Sequence, residues 1–269
     1  MHDTLATTKM LNELRSLAER LWPERIIPAA TPFQAFSEAG MRYAFAAEYA
    51  KGADVLDVAC GTGIGTNLLR LAGAKTATGI DLSEECISVA RKLYEGCNFL
   101  AADGCAYSFP EGSFDVIVSF ETIEHVSHPQ RFLDNCQRML RASGVLVLST
   151  PNFSVSRFAP NPYHVREFEP EELWGLVRER FKDVAVFGQN YVNLLMFVPV
   201  KGVTRLLDAI HLKDFVKALT RPRSSELVED WNFELSRLDG RCAVLPYEAG
   251  TLHQPTYLIV VARKLDSAG

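Results

Sequence analysis

Two acids and a run of glycines are the residues best placed to do chemistry in this 269-residue chain. In VLDVACGTGIG, residues 55 to 65, Asp57 lies inside an apolar run that passes directly into Gly61, Gly63 and Gly65. Glycines let a backbone turn tightly and approach a ligand, and a helix that starts there offers unpaired N–H groups. Asp81, in TGIDLS, comes 24 positions after Asp57 at the end of the next apolar run, where a carboxylate can chelate ribose hydroxyls. The implied ligand is a nucleoside. Glu121, Glu124 and His125 in FETIEHV, with Tyr163, His164 and Arg166 in NPYHVREF, form a second group able to hold or move protons.

The elements that must position these residues alternate. From Val55 onward, short apolar runs (VLDVA, TATGID, FLAAD, FDVIVSF, VLVLST) are separated by helix-length amphipathic segments around 68–71, 86–93 and 132–140. Strands spaced by helices predict βαβ units and a buried, mainly parallel sheet, hence a doubly wound α/β fold. A helix at 170–181, a strand at 184–189 and a last strand at 256–264 complete the core. The expected division is an N-terminal helical lid over 1–50, a nucleoside-binding core over 51–190, an inserted cap over 191–255, and a final core strand and tail over 256–269. Within the lid, a helix at 5–21 ends at Pro23, and a second at 38–50 puts Met41, Phe45, Ala46 and Tyr49 on one face. Within the cap, 203–219 reads as a helix.

A dinucleotide site and an S-adenosylmethionine site share this strand, turn and acid. The G-x-G-x-x-G spacing is not met from Gly61, because position 66 is Thr66, and Asp57 instead gives D-x-A-C-G-x-G. That pattern resembles the first motif of class I S-adenosylmethionine-dependent methyltransferases. The resemblance continues through Asp81, Ala102-Asp103, FDVIVSFETIEHV at 114–126 and RMLRASGVLVLSTPN at 138–152, with Ala59 where the family often has glycine. It implies a Rossmann-like core of seven strands, the last antiparallel. It also implies a donor site in which Asp57 orients the loop near the methionine amino group, Gly61 and Gly63 approach the sulfonium and Asp81 binds ribose. Asp103 would then accept from adenine N6, beside Gly104 and Cys105, and Ala59, Leu82 and Phe120 would complete the set. Arg42 is a candidate partner for the methionine carboxylate, since a guanidinium grips a carboxylate with two parallel bonds. ERIIP at 24–28, RYAFA at 42–46 and NPYHVREF at 161–168 further resemble bacterial methyltransferases of surface-glycan and O-antigen synthesis, which methylate sugar hydroxyls or a terminal phosphate.

If methyl transfer is the reaction, the donor is already activated, so the protein must align the reactants and take a proton from the acceptor. A sugar hydroxyl needs a base, for which His125 and His164 are the first candidates, with Glu121 and Tyr163 nearby. A phosphate would need Arg166 as charge partner instead. The alternative acceptors are a small aromatic or quinone-like phenol and an amine natural product. From other classes come a non-catalytic nucleoside-binding regulator, which the intact acid and glycine set disfavours, and an NAD-dependent oxidoreductase, which the missing third glycine disfavours.

The composition, 48% hydrophobic and 23% charged, is that of an ordinary globular protein. Twenty-eight Lys and Arg against 33 Asp and Glu give a net charge of -5, which argues against nucleic acid as a partner. Six cysteines without C-x-x-C spacing, and an N-terminus with no apolar leader, predict reduced thiols and a cytoplasmic location. The LLMFVPV run at 194–200 is too short to span a bilayer. With Lys201, Arg205, Lys213 and Lys217 nearby, a membrane-binding stripe is the alternative to a packed cap helix. The remaining histidines (His2, His128, His211, His253) read as surface or packing residues. No structural metal is expected, although Mg²⁺ could bridge a substrate diol through acidic side chains.

Overall fold

The computed structural model describes residues 33–157, 161–190, 244–247 and 254–265, with residues 33–37 as backbone. All of these except 33–38 belong to one compact unit, 39–191 with 240–269. The expected helices at 5–21 and 203–219, and the apolar run at 194–200, lie outside the described residues. No helix among the described residues is long and apolar enough to cross a membrane.

In chain order the elements are α1 (Phe33–Ala50), β1 (Asp54–Val58), α2 (Ile64–Leu71), β2 (Thr76–Asp81), α3 (Glu84–Leu93), β3 (Asn98–Ala101) and β4 (Phe114–Phe120). A 3₁₀ turn (Ile123–His125), α4 (Pro129–Met139), β5 (Leu140–Pro151), the single turn α5 (Phe153–Ser156), α6 (Pro170–Arg178), β6 (Phe181–Gln189), β7 (Leu245–Pro246) and β8 (Tyr257–Lys264) follow. The sheet order is β3-β2-β1-β4-β5-β8-β6-β7. Strands β1 to β5 pair in parallel, while β8 runs antiparallel to both β5 and β6. The α/β fold and the antiparallel last strand agree with the expectation. The strand count is eight rather than seven, because the two-residue β7, from within the segment read as a cap, pairs with the edge of β6.

Every residue of β1 is buried, as a parallel strand covered on both faces requires. Leu56, Val58, Ile80, Ile117, Leu146 and Leu148 pack with Phe132, Leu133 and Met139 of α4 into the main core. On the other face Val55, Val116, Val118 and Val147 meet Ala46 and Ala50 of α1. The stripe α1 buries most deeply is Ala39, Arg42, Ala46 and Ala50, not the Met41, Phe45, Ala46 and Tyr49 face. Small alanines let the helix axis approach the sheet, and the aromatic pair flanks it, with the Phe45 ring 5.0 Å from Phe187. α3 is closed at its start by Ser83, whose hydroxyl accepts from Cys86 N, with Glu84 and Glu85 in the first turn and Arg91 and Lys92 in the last.

The strand order reverses at β1. The chain runs outward through β2 and β3, then returns to place β4 on the other side of β1. Ligands of open α/β sheets bind in the crevice beyond the carboxyl ends of the strands at such a reversal. Asp57, Asp81 and Glu121 all lie at or beside these ends.

Candidate functional site

The loop leaving β1 is tightly wound. Ala59, Gly61 and Gly63 take φ of 62°, 57° and 82°, all in the left-handed region. Both oxygens of Asp81 hold this corner together: Oδ2 accepts from Gly61 N at 2.9 Å and Oδ1 from Ser83 N at 2.9 Å. Gly63 caps α2 without any side-chain bond to the first turn, so that helix start has no capping side chain. The glycines also serve packing. A Cβ on Gly65 would stand 1.9 Å from Tyr43 Cζ, and one on Gly63 2.6 Å from Phe99 Cζ. Gly65 is therefore required by the helix above it rather than by a ligand.

Asp57 is completely buried. Tyr43 Oη donates to its two oxygens at 3.1 and 3.2 Å, and Thr66 Oγ1 donates to Oδ2 at 2.7 Å. Burial pushes its carboxyl up to about 7, with Asp81 adding to the rise and the two hydroxyls opposing it. Burial also raises the Tyr43 phenol well above its ordinary value, so it stays a donor. Neither Tyr43 nor Thr66 was picked out by sequence reasoning as a site residue. Yet Thr66 is the residue that breaks the glycine spacing, and Tyr43 lies in the RYAFA segment.

Arg42 is buried in α1. Its Nη1 donates to Gln189 Oε1 at 2.8 Å, its guanidinium lies 4.4 Å from the Tyr257 ring centre, and its Nε has no hydrogen-bond partner. Phe120, at the end of β4, is buried with its ring edge-on to Tyr43 at 4.9 Å. Leu82 is 70% exposed beside Asp81. Beyond β3, Asp103 is exposed and caps its own turn, accepting from Cys105 N at 2.8 Å. A side chain at Gly104 would come within 2.5 Å of Val58. An acid at the end of β2, a tightly wound glycine loop and a guanidinium N–H without a partner suit a nucleoside bearing a carboxylate.

The end of β4 supplies the second group. Glu121 has φ 49°, an uncommon conformation for a non-glycine residue, and it is fixed by Ser149: its N–H donates to Ser149 O at 3.0 Å and its Oε1 accepts from Ser149 Oγ at 2.6 Å. Glu124, in the 3₁₀ turn, is fully buried; Thr150 Oγ1 donates to Oε2 at 2.9 Å, whereas Oε1 has no partner. Burial, reinforced by the neighbouring Glu121, raises the Glu124 carboxyl well above the usual carboxylate range.

His125 and His164 come from segments far apart in sequence, yet their rings meet edge-to-face at 4.9 Å. The Glu124 carbonyl accepts from Val165 N at 2.9 Å and Arg166 N at 3.1 Å, which ties the segment after β5 to the turn after β4. His125 Nδ1 bonds the Tyr163 carbonyl at 3.0 Å. His164 Nδ1 bonds the Glu167 carboxylate, and its Nε2 faces Asn161 Nδ2 at 2.9 Å. Glu167 and Asn161 also escaped sequence reasoning, although both sit inside NPYHVREF. The Tyr163 side chain is 52% exposed. Arg166 is paired with Glu172 and lies 5.3 Å from the Phe168 ring centre, so its charge is already partnered. His128 is exposed at the start of α4.

Comparison with known proteins names the central part of the chain. Residues 56–148 match the family of methyltransferase domains. The match agrees with the methyltransferase resemblance read from its motifs. The chain is 36% identical over 161 residues to a probable S-adenosylmethionine-dependent methyltransferase of Mycobacterium tuberculosis, covering 58% of each chain. It is 38% identical over 106 residues to the ubiquinone biosynthesis O-methyltransferase of Coxiella burnetii, covering 38% of this chain and 45% of that one. The chain thus spans about half the length of these relatives. A SAM-dependent methyltransferase structure from Archaeoglobus fulgidus superposes with a TM-score of 0.55 at 21% identity, covering 86% of this chain and 94% of that one, and shares the fold of the methyltransferase domain.

Proposed function

We propose that the protein transfers a methyl group from S-adenosylmethionine to an oxygen acceptor, a sugar hydroxyl of a glycan or glycoside. The observation that carries this reading is the meeting of His125 and His164 beside the ends of β4 and β5, in the same domain as the Asp81-braced loop. A sulfonium donor supplies an activated methyl and a neutral leaving group. The chain's residues then have three tasks: to hold the donor, to hold the acceptor in line, and to make its hydroxyl nucleophilic.

Asp81 holds the ribose diol, and Asp57, at the base of the loop, faces the donor's amino group. Arg42 Nε, buried and unbonded, is the N–H that the donor carboxylate satisfies. Leu82 and Gly104 border the adenine, and Asp103 accepts from its amino group. On the acceptor side, carbonyl and carboxylate partners keep the proton on Nδ1 of both imidazoles, which leaves Nε2 as the basic nitrogen of each. The pair activates the acceptor hydroxyl, with Glu121 fixed beside it and the Tyr163 side chain at the rim. The Arg166–Glu172 pair favours a hydroxyl over a phosphate acceptor, since a phosphate would have to break it.

The likeness to the ubiquinone biosynthesis O-methyltransferase favours one second reading, a phenolic acceptor. The decisive experiment is transfer of labelled methyl from S-adenosylmethionine into fractionated cell extract, with Asp81→Ala as control. Label in saccharide fractions supports the glycan reading, and label in small phenolic products transfers the conclusion to the second. Absence of label in every fraction, with donor binding intact, would count against the enzyme.

A further inference from the structure

We propose that Glu124, His125 and His164 together hold a divalent first-row metal ion on the acceptor side of the methyltransferase domain. A carboxylate oxygen of Glu124 and one ring nitrogen of each histidine all lie within 4.8 Å of one another. Ligands at about 2.0–2.2 Å from a shared ion stand roughly 3–3.5 Å apart, so small side-chain rotations close the set. Two imidazoles and one carboxylate are a familiar three-ligand set for zinc and for other first-row divalent ions, leaving positions open for a substrate oxygen.

The surroundings match what such ligands need. A ligating histidine donates its other ring N–H to a carbonyl or a carboxylate, which fixes the tautomer and the ring orientation. His125 Nδ1 is held by the Tyr163 carbonyl and His164 Nδ1 by the Glu167 carboxylate, so Nε2 carries the lone pair in both. The bonds from Val165 N and Arg166 N to the Glu124 carbonyl fix the distance between the two segments that supply the ligands. An independent sign is Glu124 Oε1, a carboxylate oxygen without a hydrogen-bond partner on a residue that is wholly buried. Leaving such an atom unpaired is costly, and a cation satisfies it. One existing bond must yield, that from Asn161 Nδ2 to His164 Nε2.

The role of the ion rests on the oxygen-acceptor reading above; its binding does not. An acceptor hydroxyl on one of the open positions becomes more acidic, as water does on bound zinc. The imidazole pair would then act on the hydroxyl through the ion, and the proton that the hydroxyl gives up would pass to solvent water rather than to an imidazole.

Protein stripped with chelator is titrated with Mn²⁺, the bound ion being followed by electron paramagnetic resonance, and separately with Zn²⁺ by calorimetry. The expected result is one equivalent bound, weakened at least tenfold by Glu124→Gln and by His125→Ala. Donor affinity, measured with S-adenosylhomocysteine, should change by less than twofold in both. Because Glu124 is buried, circular dichroism checks that its variant is folded, and the partly exposed His125 gives the independent test. Asn161→Ala, which frees His164 Nε2, should bind the ion at least as tightly as the native protein. The absence of saturable binding, or binding that Glu124→Gln and His125→Ala leave unchanged, overturns the proposal. Ion binding that depends on these residues upholds it even in a protein that fails to bind S-adenosylhomocysteine, an outcome that would sink only the transferase reading.

Discussion

Asp57→Asn should stabilise the folded protein, and by an amount that grows with pH. The native carboxyl is wholly buried and pushed up to about 7, whereas in the unfolded chain an aspartate titrates near 3.9. A carboxyl whose folded value lies above its unfolded one binds its proton more tightly when folded. Its contribution is therefore greatest below about pH 4, falls as pH rises toward 7, and is constant above that. Each pH unit inside the window costs about 1.4 kcal/mol, giving a total near 4 kcal/mol. Asparagine does not titrate and keeps one oxygen to accept from Thr66, so its stability curve lacks this descent. Urea unfolding of both proteins at about pH 5 and about pH 8 measures the difference, and the variant's advantage should widen by about 3 kcal/mol between the two. Parallel pH profiles would refute the reasoning, because they would mean that the Asp57 carboxylate ionises in the fold as easily as in water. The amide should also bind the donor less well, so that stability and donor affinity move in opposite directions.

Four further outcomes are expected. Asp81→Ala removes the acceptor of both Gly61 N and Ser83 N and should lower S-adenosylhomocysteine affinity at least tenfold by calorimetry while the circular dichroism spectrum is kept. His125→Ala and His164→Ala should each reduce kcat by about 10²-fold or more with little change in donor affinity, the size expected when acceptor activation is lost. Gly65→Ala places a methyl where the Tyr43 ring stands and should cost about 1–3 kcal/mol in chemical denaturation, with Tyr43→Ala in the same chain restoring part of it. Arg42→Lys should weaken donor binding in calorimetry, because an ammonium lacks both the second bonding direction and the stacking on Tyr257.

Much of the edge formed by β1 and β2 was legible because its signals are local. A parallel strand buried on both faces must be apolar along its length, and a strand that ends in an acid or a glycine turn shows where the carboxyl edge lies. That logic placed Asp57, Gly61, Gly63 and Asp81 at the carboxyl edge of the sheet without any tertiary information. The cluster beyond β4 and β5 was legible only one residue at a time. His125 and His164 each stood out, but their meeting depends on bonds from Val165 N and Arg166 N to a distant carbonyl, and backbone bonds across 40 residues have no sequence signature. Tyr43 was hidden for a related reason. Its helix was read as an apolar face, while its phenol was satisfied by a carboxylate that no helical periodicity reveals. β7 escaped because two residues have no period.

The placement of Tyr43 has a thermodynamic corollary. One ring rests on Gly65 at the start of α2, while its hydroxyl holds the acid beneath the donor loop. Whatever stiffens that loop through this ring must therefore lower the population of locally opened α1, and whatever favours the opened form must weaken the loop's hold on a ligand by the same factor. On the proposed donor site, amide exchange along 39–50 becomes a gauge of donor occupancy, read from a helix that lies outside the glycine loop.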